Sequence, residues 1–210
     1  PAFSLGRTQI VVHYLRRWMR DGVLPPLPLY VDSPLAADIA DVYERHSDCL
    51  AEEEGPGLPP VAYLRTAEES KALCQSSEPC VVVASGGMCD GGRIMTWLRE
   101  YVDDFRATIV LVSYQAPHSL GRRLLEKGPT VRFHGRVWNK WADVVEANGF
   151  SGHADHNDFL ALLGGAAGHT PQVRLVHGEP DRAAALAAGL RGHGFADVQA
   201  PRLEDTAEVA

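Results

Sequence analysis

The sequence predicts an α/β fold, parallel-rich and with helices on both faces of its sheet. Three observations carry that reading. Two runs, Cys80-Val81-Val82-Val83-Ala84 and Thr108-Ile109-Val110-Leu111-Val112-Ser113-Tyr114, are largely apolar and β-branched, as buried parallel strands are. Stretches with apolar residues at three- and four-residue spacing alternate with such runs. Glycine and proline separate the two kinds of segment. Strands alternating with amphipathic helices place the chain in the α/β class, and the two apolar runs are expected to be adjacent interior strands.

The elements follow in order. Residues 8–21 carry Ile10, Val11, Tyr14, Leu15, Trp18 and Met19 on a helical stripe, flanked by Arg16, Arg17 and Arg20 and stopped by Gly22 and the prolines from Pro25 to Pro28. Leu29-Tyr30-Val31 is a short strand. Asp32-Ser33-Pro34 opens a helix, with Ser33 as N-cap and proline in the first turn; Leu35, Ile39, Val42 and Tyr43 are its expected buried face. Asp32 is read as a turn residue in preference to a catalytic one. Residues 47–60 are acidic and rich in glycine and proline, an exposed loop. Thr66 and Glu69 have capping-box spacing and open a short helix to about Gln75.

After the run ending at Ala84 comes Ser85-Gly86-Gly87-Met88-Cys89-Asp90-Gly91-Gly92-Arg93, then a helix with Ile94, Trp97, Leu98 and Tyr101 on one side. Strand, glycine-rich loop and helix can aim free backbone N–H groups at an anion. The loop is neither a Rossmann fingerprint nor a P-loop, and a tight structural turn is the alternative. Beyond Tyr114, Leu120, Leu124 and Leu125 mark a helix that carries Arg122 and Arg123. From residue 130 to 147 the texture changes to short strands, which sets the expected domain boundary: 1–146 and 147–210. A helix (Phe159 to Leu163), a strand ending at His177, an alanine-rich helix (182–190) and a strand near Val198 complete the chain.

The totals restrict the function. The 210 residues are 45% hydrophobic and 22% charged, ordinary globular material. No apolar stretch approaches the ~20 residues of a membrane span, and the chain starts at Pro1 inside what reads as folded sequence, as a fragment lacking an N-terminal part would. Cys49, Cys74, Cys80 and Cys89 show no zinc-finger spacing, which suits reduced thiols and a cytoplasmic setting. The net charge of −7 argues against a broadly basic nucleic-acid coat. Locally the balance reverses: residues 121–141 hold six bases (Arg122, Arg123, Lys127, Arg132, Arg136, Lys140) against one acid, Glu126.

Two histidines stand beside glycines at the ends of regular elements: His153 in Gly149-Phe150-Ser151-Gly152-His153-Ala154-Asp155, and His177 in Leu175-Val176-His177-Gly178-Glu179. Glycine lets backbone and imidazole come close to a ligand, and open α/β sheets bind ligands beyond the carboxyl ends of their strands. Either histidine alone reads equally well as a turn or strand-end residue. The pair, in these frames, points to chemistry.

Several segments now occur together and in order: Pro1-Ala2-Phe3-Ser4-Leu5-Gly6-Arg7-Thr8-Gln9, Asp32-Ser33-Pro34, Ala84-Ser85-Gly86-Gly87-Met88 with Gly91-Gly92-Arg93, Val112-Ser113-Tyr114-Gln115-Ala116, Leu120-Gly121-Arg122-Arg123-Leu124, and the two histidine frames. This set resembles the β-CASP branch of the metallo-β-lactamase fold, which includes RNase J and the endonuclease subunit of the cleavage-and-polyadenylation machinery. The resemblance covers roughly residues 1–192. It implies that 1–146 is a β-CASP domain, N-terminally incomplete, and that 147–210 is the returning C-terminal segment of a metallo-β-lactamase αββα domain. The His-x-His-x-Asp-His motif that supplies most zinc ligands in that family is absent here.

The resemblance further implies a zinc-dependent RNA-processing phosphodiesterase with two zinc ions in the full-length protein. His177 falls on the family's metal-binding histidine, and a neutral imidazole at a strand end is a good zinc ligand. His153 falls on the histidine that acts as proton donor to the leaving oxygen. Asp155 is either an orienting group for His153 or a helix cap, and His156 reads as a solvated helix residue. Ser85, the Gly86 and Gly87 amides, Arg93, Arg122, Arg123 and Ser151 are the candidate phosphate contacts, with surface ion pairing as the alternative for each arginine. The implied partner is single-stranded RNA, with no membrane; a homodimer is compatible with this. The isolated chain, with one zinc ligand, is expected to be inactive. Competing readings are a non-catalytic β-CASP subunit that binds RNA or a nuclease partner, and a metal-independent phosphate-binding domain built on the loop after Val83.

Overall fold

A computed structural model describes residues 1–50, 57–150, 152–169, 172–202 and 204–206. The chain divides into two compact units, Pro1–Ser151 and Gly152–Ala210. In the first unit the order is α1 (Arg7–Arg20), β1 (Leu29–Asp32), α2 (Pro34–Arg45), β2 (Val61–Leu64), α3 (Ala67–Cys74), β3 (Val81–Ala84), α4 (Ile94–Tyr101), β4 (Thr108–Leu111), α5 (Leu120–Leu125), β5 (Thr130–Phe133), β6 (Arg136–Asn139) and β7 (Asp143–Glu146). The second unit holds α6 (His156–Leu163), β8 (Gln172–Arg174), α7 (Pro180–Gly192) and β9 (Asp197–Gln199). Among the described residues no helix is long and apolar enough to cross a membrane.

Local rules account for the helix boundaries. The Ser33 side chain accepts from the Ala36 amide at 3.1 Å with Pro34 opening α2. Thr66 and Glu69 close the capping box of α3 in both directions. At the end of α1, Gly22 takes φ +72, a left-handed turn that glycine enters without a Cβ penalty.

β1 lies between β2 and β3, both parallel to it, with Asp32 opposite Leu64 and Ala84. β4 pairs in parallel with β7, and β5 with β6 as an antiparallel hairpin. The two apolar runs are therefore not paired with one another. The free edge of β3 is taken instead by the N-terminal segment: the Ala2 amide donates to the Ala84 carbonyl at 2.9 Å, and Ala2 bridges Ser85. β4 is also less buried than its composition predicts. Ile109 and Leu111 face the core while Thr108 and Val110, the latter 41% exposed, face out.

Side chains alternate across β3, and the two core clusters of the first unit follow that alternation. Val83, with Leu29, Val31, Val11, Val12 and Ala36, packs towards α1 and α2. Ala84 belongs to the other cluster, with Cys74 of α3, Trp97 and Leu98 of α4, and Leu120 and Leu124 of α5. Helices thus cover both faces. Each fully buried leucine here contributes about 1.5–3 kcal/mol of transfer free energy.

Two helices turn a different face inward from the one their periodicity suggests. α1 buries Val11, Val12 and Met19 and leaves Ile10, Tyr14 and Trp18 partly exposed; α2 buries Ala36 and Ala37 and leaves Leu35 and Val42 outside. Small alanines let α2 approach β1 closely, which a leucine face would prevent.

In the second unit β8 and β9 pair in parallel, Val173 opposite Val198. Ala187, Leu190, Phe195 and Val198 form its core, backed by Leu160, Leu163, Leu175 and Leu186. The Leu175 amide continues the ladder to the Gln199 carbonyl at 2.8 Å, so the pairing stops two residues before His177.

Candidate functional site

Because β1 and β3 are parallel and in register, their carboxyl ends open at one edge. Asp32 and Ser33 emerge there from β1, and Ser85, Gly86 and Gly87 from β3. The Ser85 amide donates to the Asp32 carbonyl at 3.1 Å, and the Ser33 hydroxyl lies 2.9 Å from that of Ser4. The turn that follows is closed so tightly that positions 86 and 92 admit only glycine. A Cβ on Gly86, at φ +109, would stand 1.9 Å from the Gly91 carbonyl oxygen, and one on Gly92, at φ +84, would stand 2.5 Å from that of Ser85. Gly87 lies under the Phe3 ring, 2.9 Å from where its Cβ would be. Among the described residues the Gly86 and Gly87 amides donate to no backbone carbonyl. Strand end, unpaired amides and the helix beyond are the elements of an anion-binding turn.

Arg93 closes this turn. Its amide donates to the Ser85 hydroxyl at 3.2 Å, and its guanidinium donates to the Arg65 carbonyl at 3.4 Å. Arg93 Nε stands 3.6 Å from Oδ1 of Asp32, with 22% of the arginine side chain exposed and none of the aspartate. Oδ2 of Asp32 accepts from Ser70 Oγ at 2.5 Å and from Trp97 Nε1 at 2.8 Å. Asp32 therefore joins β1, α3, α4 and the glycine turn, which is far more than a turn residue does.

Gln115 fixes the same turn from the other side. It is buried, and its Nε2 donates to the carbonyls of Gly87 at 2.9 Å and Ser113 at 2.7 Å. The Asp90 carboxylate accepts from the Leu120 amide at 2.7 Å, and the Gly121 amide donates to the Met88 carbonyl at 3.0 Å. Arg122 is part of this framework: Nε donates to the Gln115 carbonyl at 2.9 Å, and the guanidinium lies over the Tyr114 ring at 5.6 Å. Arg123 donates to the Arg132 carbonyl at 2.5 Å. Elsewhere in the basic strip, Lys140 binds the carbonyls of Leu124 and Glu126, satisfying the end of α5, and Arg136 stacks on Trp138 at 4.3 Å. The structure thus gathers Ser85, Gly86, Gly87 and Arg93 into one turn, with Arg122 bracing it through Gln115. Arg123 is turned to β5.

The histidines belong to the second unit. His153 is exposed, two residues before the N-cap of α6. That cap is Asp155, whose Oδ1 accepts from the amides of Asn157 at 2.8 Å and Asp158 at 2.9 Å, so Asp155 caps the helix. The His156 ring lies against Gly189 of α7, where a Cβ would meet it at 2.7 Å; this is how α6 and α7 come together. His177 is exposed and holds φ +65, a left-handed conformation uncommon outside glycine, in the turn between β8 and α7. Ser151 lies outside the described residues.

Among the described residues no three His, Cys, Asp or Glu side chains gather as a metal site. One exposed imidazole at position 177 is not a zinc centre, which takes several protein ligands. The donor set present does not fit two zinc ions.

Residues that sequence reading passed over matter here. Asp32 reads locally as a turn residue, yet an acid followed at once by a serine N-cap has no capping work of its own, and its carboxylate engages Ser70, Trp97 and Arg93. Gln115 carried no signal beyond its place in a motif. Arg7, at the start of α1, has Nε and one terminal nitrogen buried without a hydrogen-bond partner among the described residues.

Residues 8–124 match the Beta-Casp domain, and residues 142–201 match the Zn-dependent metallo-hydrolase RNA specificity domain. Over 91% of its length the chain is 34% identical to a ribonuclease of Thermus thermophilus, covering 46% of that protein. Over 98% of its length it is 29% identical to the transcription termination factor FttA of Pyrococcus abyssi, covering 34% of it. For FttA of Methanosarcina mazei the identity is 27% over 90% of the chain and 32% of the relative. The chain spans less than half the length of these relatives.

Proposed function

The chain belongs to the β-CASP family, and from that premise we propose that it is part of a zinc-dependent RNA-processing phosphodiesterase acting on single-stranded RNA. Residues 1–146 hold the strand, and 147–210 supply His153 and His177. The observation that carries this is the anion-facing turn at the end of β3, where unpaired Gly86 and Gly87 amides, Ser85 and a partly exposed Arg93 converge. Such contacts bind the phosphate backbone and read no base. The match to an RNA specificity domain and the ribonuclease named among its relatives support RNA as the polyanion.

His153 is the proton donor to the leaving oxygen: an exposed imidazole ahead of α6 is the kind of side chain suited to that transfer. Ser151, in the same frame, is a further phosphate contact. His177 would contribute one imidazole to a metal site, and zinc held there would supply Lewis-acid stabilisation of the phosphoryl oxygens.

The second reading is a non-catalytic β-CASP subunit that binds RNA or a nuclease partner. Cleavage of a labelled single-stranded RNA by the whole protein, with His153→Ala as comparison, separates the two. RNA binding without cleavage by the wild type selects the second reading.

A further inference from the structure

Asp32 has no exposed surface, and one of its two carboxylate oxygens is left without a hydrogen bond. Burying a charged oxygen without compensation is costly. The two donors on Oδ2, Ser70 Oγ and Trp97 Nε1, are neutral and would be met equally well by an asparagine carbonyl. What asparagine would not supply is the negative Oδ1, and the cation facing that atom is Arg93, with Nε at 3.6 Å. The charge of Asp32 is therefore directed at Arg93.

Arg93 has donors to spare. Nε faces Asp32 and one terminal nitrogen reaches the Arg65 carbonyl, while the other terminal nitrogen has no bond among the described residues. The side chain faces Asp32 through Nε and is 22% exposed, in the same turn as the Gly86 and Gly87 amides. We propose that Asp32 is a positioning residue for substrate: from inside the core it orients the Arg93 guanidinium so that its outer edge meets an RNA phosphate. This deepens, and rests on, the RNA-processing reading above.

The proposal predicts a sign that simple electrostatics does not. Removing a negative charge near a polyanion site should by long-range effects alone strengthen binding. If Asp32 orients Arg93, removing its charge weakens binding instead. Asp32→Asn is the informative change, because its carbonyl still accepts from Ser70 and Trp97 while its NH2 replaces the oxygen facing Arg93.

The test uses the whole protein and a labelled single-stranded oligoribonucleotide, with affinity measured across a salt series. Asp32→Asn and Arg93→Gln are each expected to weaken binding about tenfold, the scale of one hydrogen bond to a charged group. Each should also lower the salt slope by ~0.7, the share of one phosphate contact on a single strand. The double variant should bind no more weakly than Arg93→Gln alone. Asp32→Glu, which keeps the charge but displaces it by a methylene, is read in the same way if the asparagine variant does not fold. Tighter or unchanged binding by the Asp32 variant, or additive losses in the double variant, overturns the positioning role. An unchanged slope for Arg93→Gln removes Arg93 from the phosphate site and the proposal with it. A wild-type protein that binds no RNA overturns the functional reading as well, and so is distinguishable from the other failures.

Discussion

The Gln115 side-chain amide donates to the Gly87 carbonyl at 2.9 Å, so that the loop after β4 holds the glycine turn after β3. The pocket around Gln115 is shaped to it. A Cβ on Gly121 would fall 1.6 Å from Gln115 Oε1, which is why a glycine opens the second position of α5. Gln115→Leu keeps the volume but strands the carbonyls of Gly87 and Ser113. Each buried acceptor left unmet costs about 1–3 kcal/mol. Urea unfolding of Gln115→Leu and of Gly121→Ala should show both destabilised by at least that much, and wild-type midpoints would dissociate the loop clamp from stability.

Arg122 and Arg123 sit in the basic strip yet spend donors inside the unit, on the carbonyls of Gln115 and Arg132. Replacing both with alanine should therefore lower stability by about 1–3 kcal/mol. In the whole protein it should also weaken RNA binding and flatten its salt dependence. A stability loss with an unchanged salt slope would assign both arginines to the framework alone.

What could be read from the chain was what adjacent residues decide. The Ser33 cap, the Thr66–Glu69 box and the strand at 81–84 all depend on neighbours a few positions away, and all stand in the structure. The partner of β3 did not, because Ala2 competes for its edge from the far end of the sequence. Asp32 shows the same limit at the site. Its partners Ser70, Arg93 and Trp97 lie 38 to 65 positions away, and nothing local marks an aspartate as buried. The inward faces of α1 and α2 differ from the periodicity because it ranks large side chains first, whereas packing against Leu29 and Val31 of β1 takes the small Ala36. His153 and His177 were legible only as members of motifs, since their exposed turns carry no packing signal.

The cysteines offer a check on burial. Desolvation, chiefly, holds Cys74 up at about 12 and Cys89 up at about 11, while Cys49 is exposed. Both buried thiols have folded values above the ordinary one of 9.0, so the unfolded chain loses these protons first as pH rises. Stability from this source is intact below pH 9 and falls between 9 and the folded values. Iodoacetamide near neutral pH should label Cys49 promptly and spare Cys74 and Cys89 until the protein unfolds. Equal labelling of all three would contradict the core described for α3 and the glycine turn.

The purified 210-residue chain should bind less than one zinc per molecule and cleave no single-stranded RNA with zinc added, since His177 gathers no companion ligands among the described residues. Metal analysis paired with a cleavage assay checks this. Two zinc ions per chain with metal-dependent cleavage would require ligands that the described residues do not bring together.

The most direct test of the whole account compares His153→Ala and His177→Ala in the full-length protein, measuring zinc content and cleavage of single-stranded RNA on the same preparations. His153→Ala should keep its zinc and lose ~10²–10⁴-fold in cleavage rate, the usual contribution of a proton donor. His177→Ala should lose metal and activity together. Undiminished cleavage by His153→Ala, or equal zinc loss from both variants, would contradict the assignment of proton transfer to His153 and metal binding to His177.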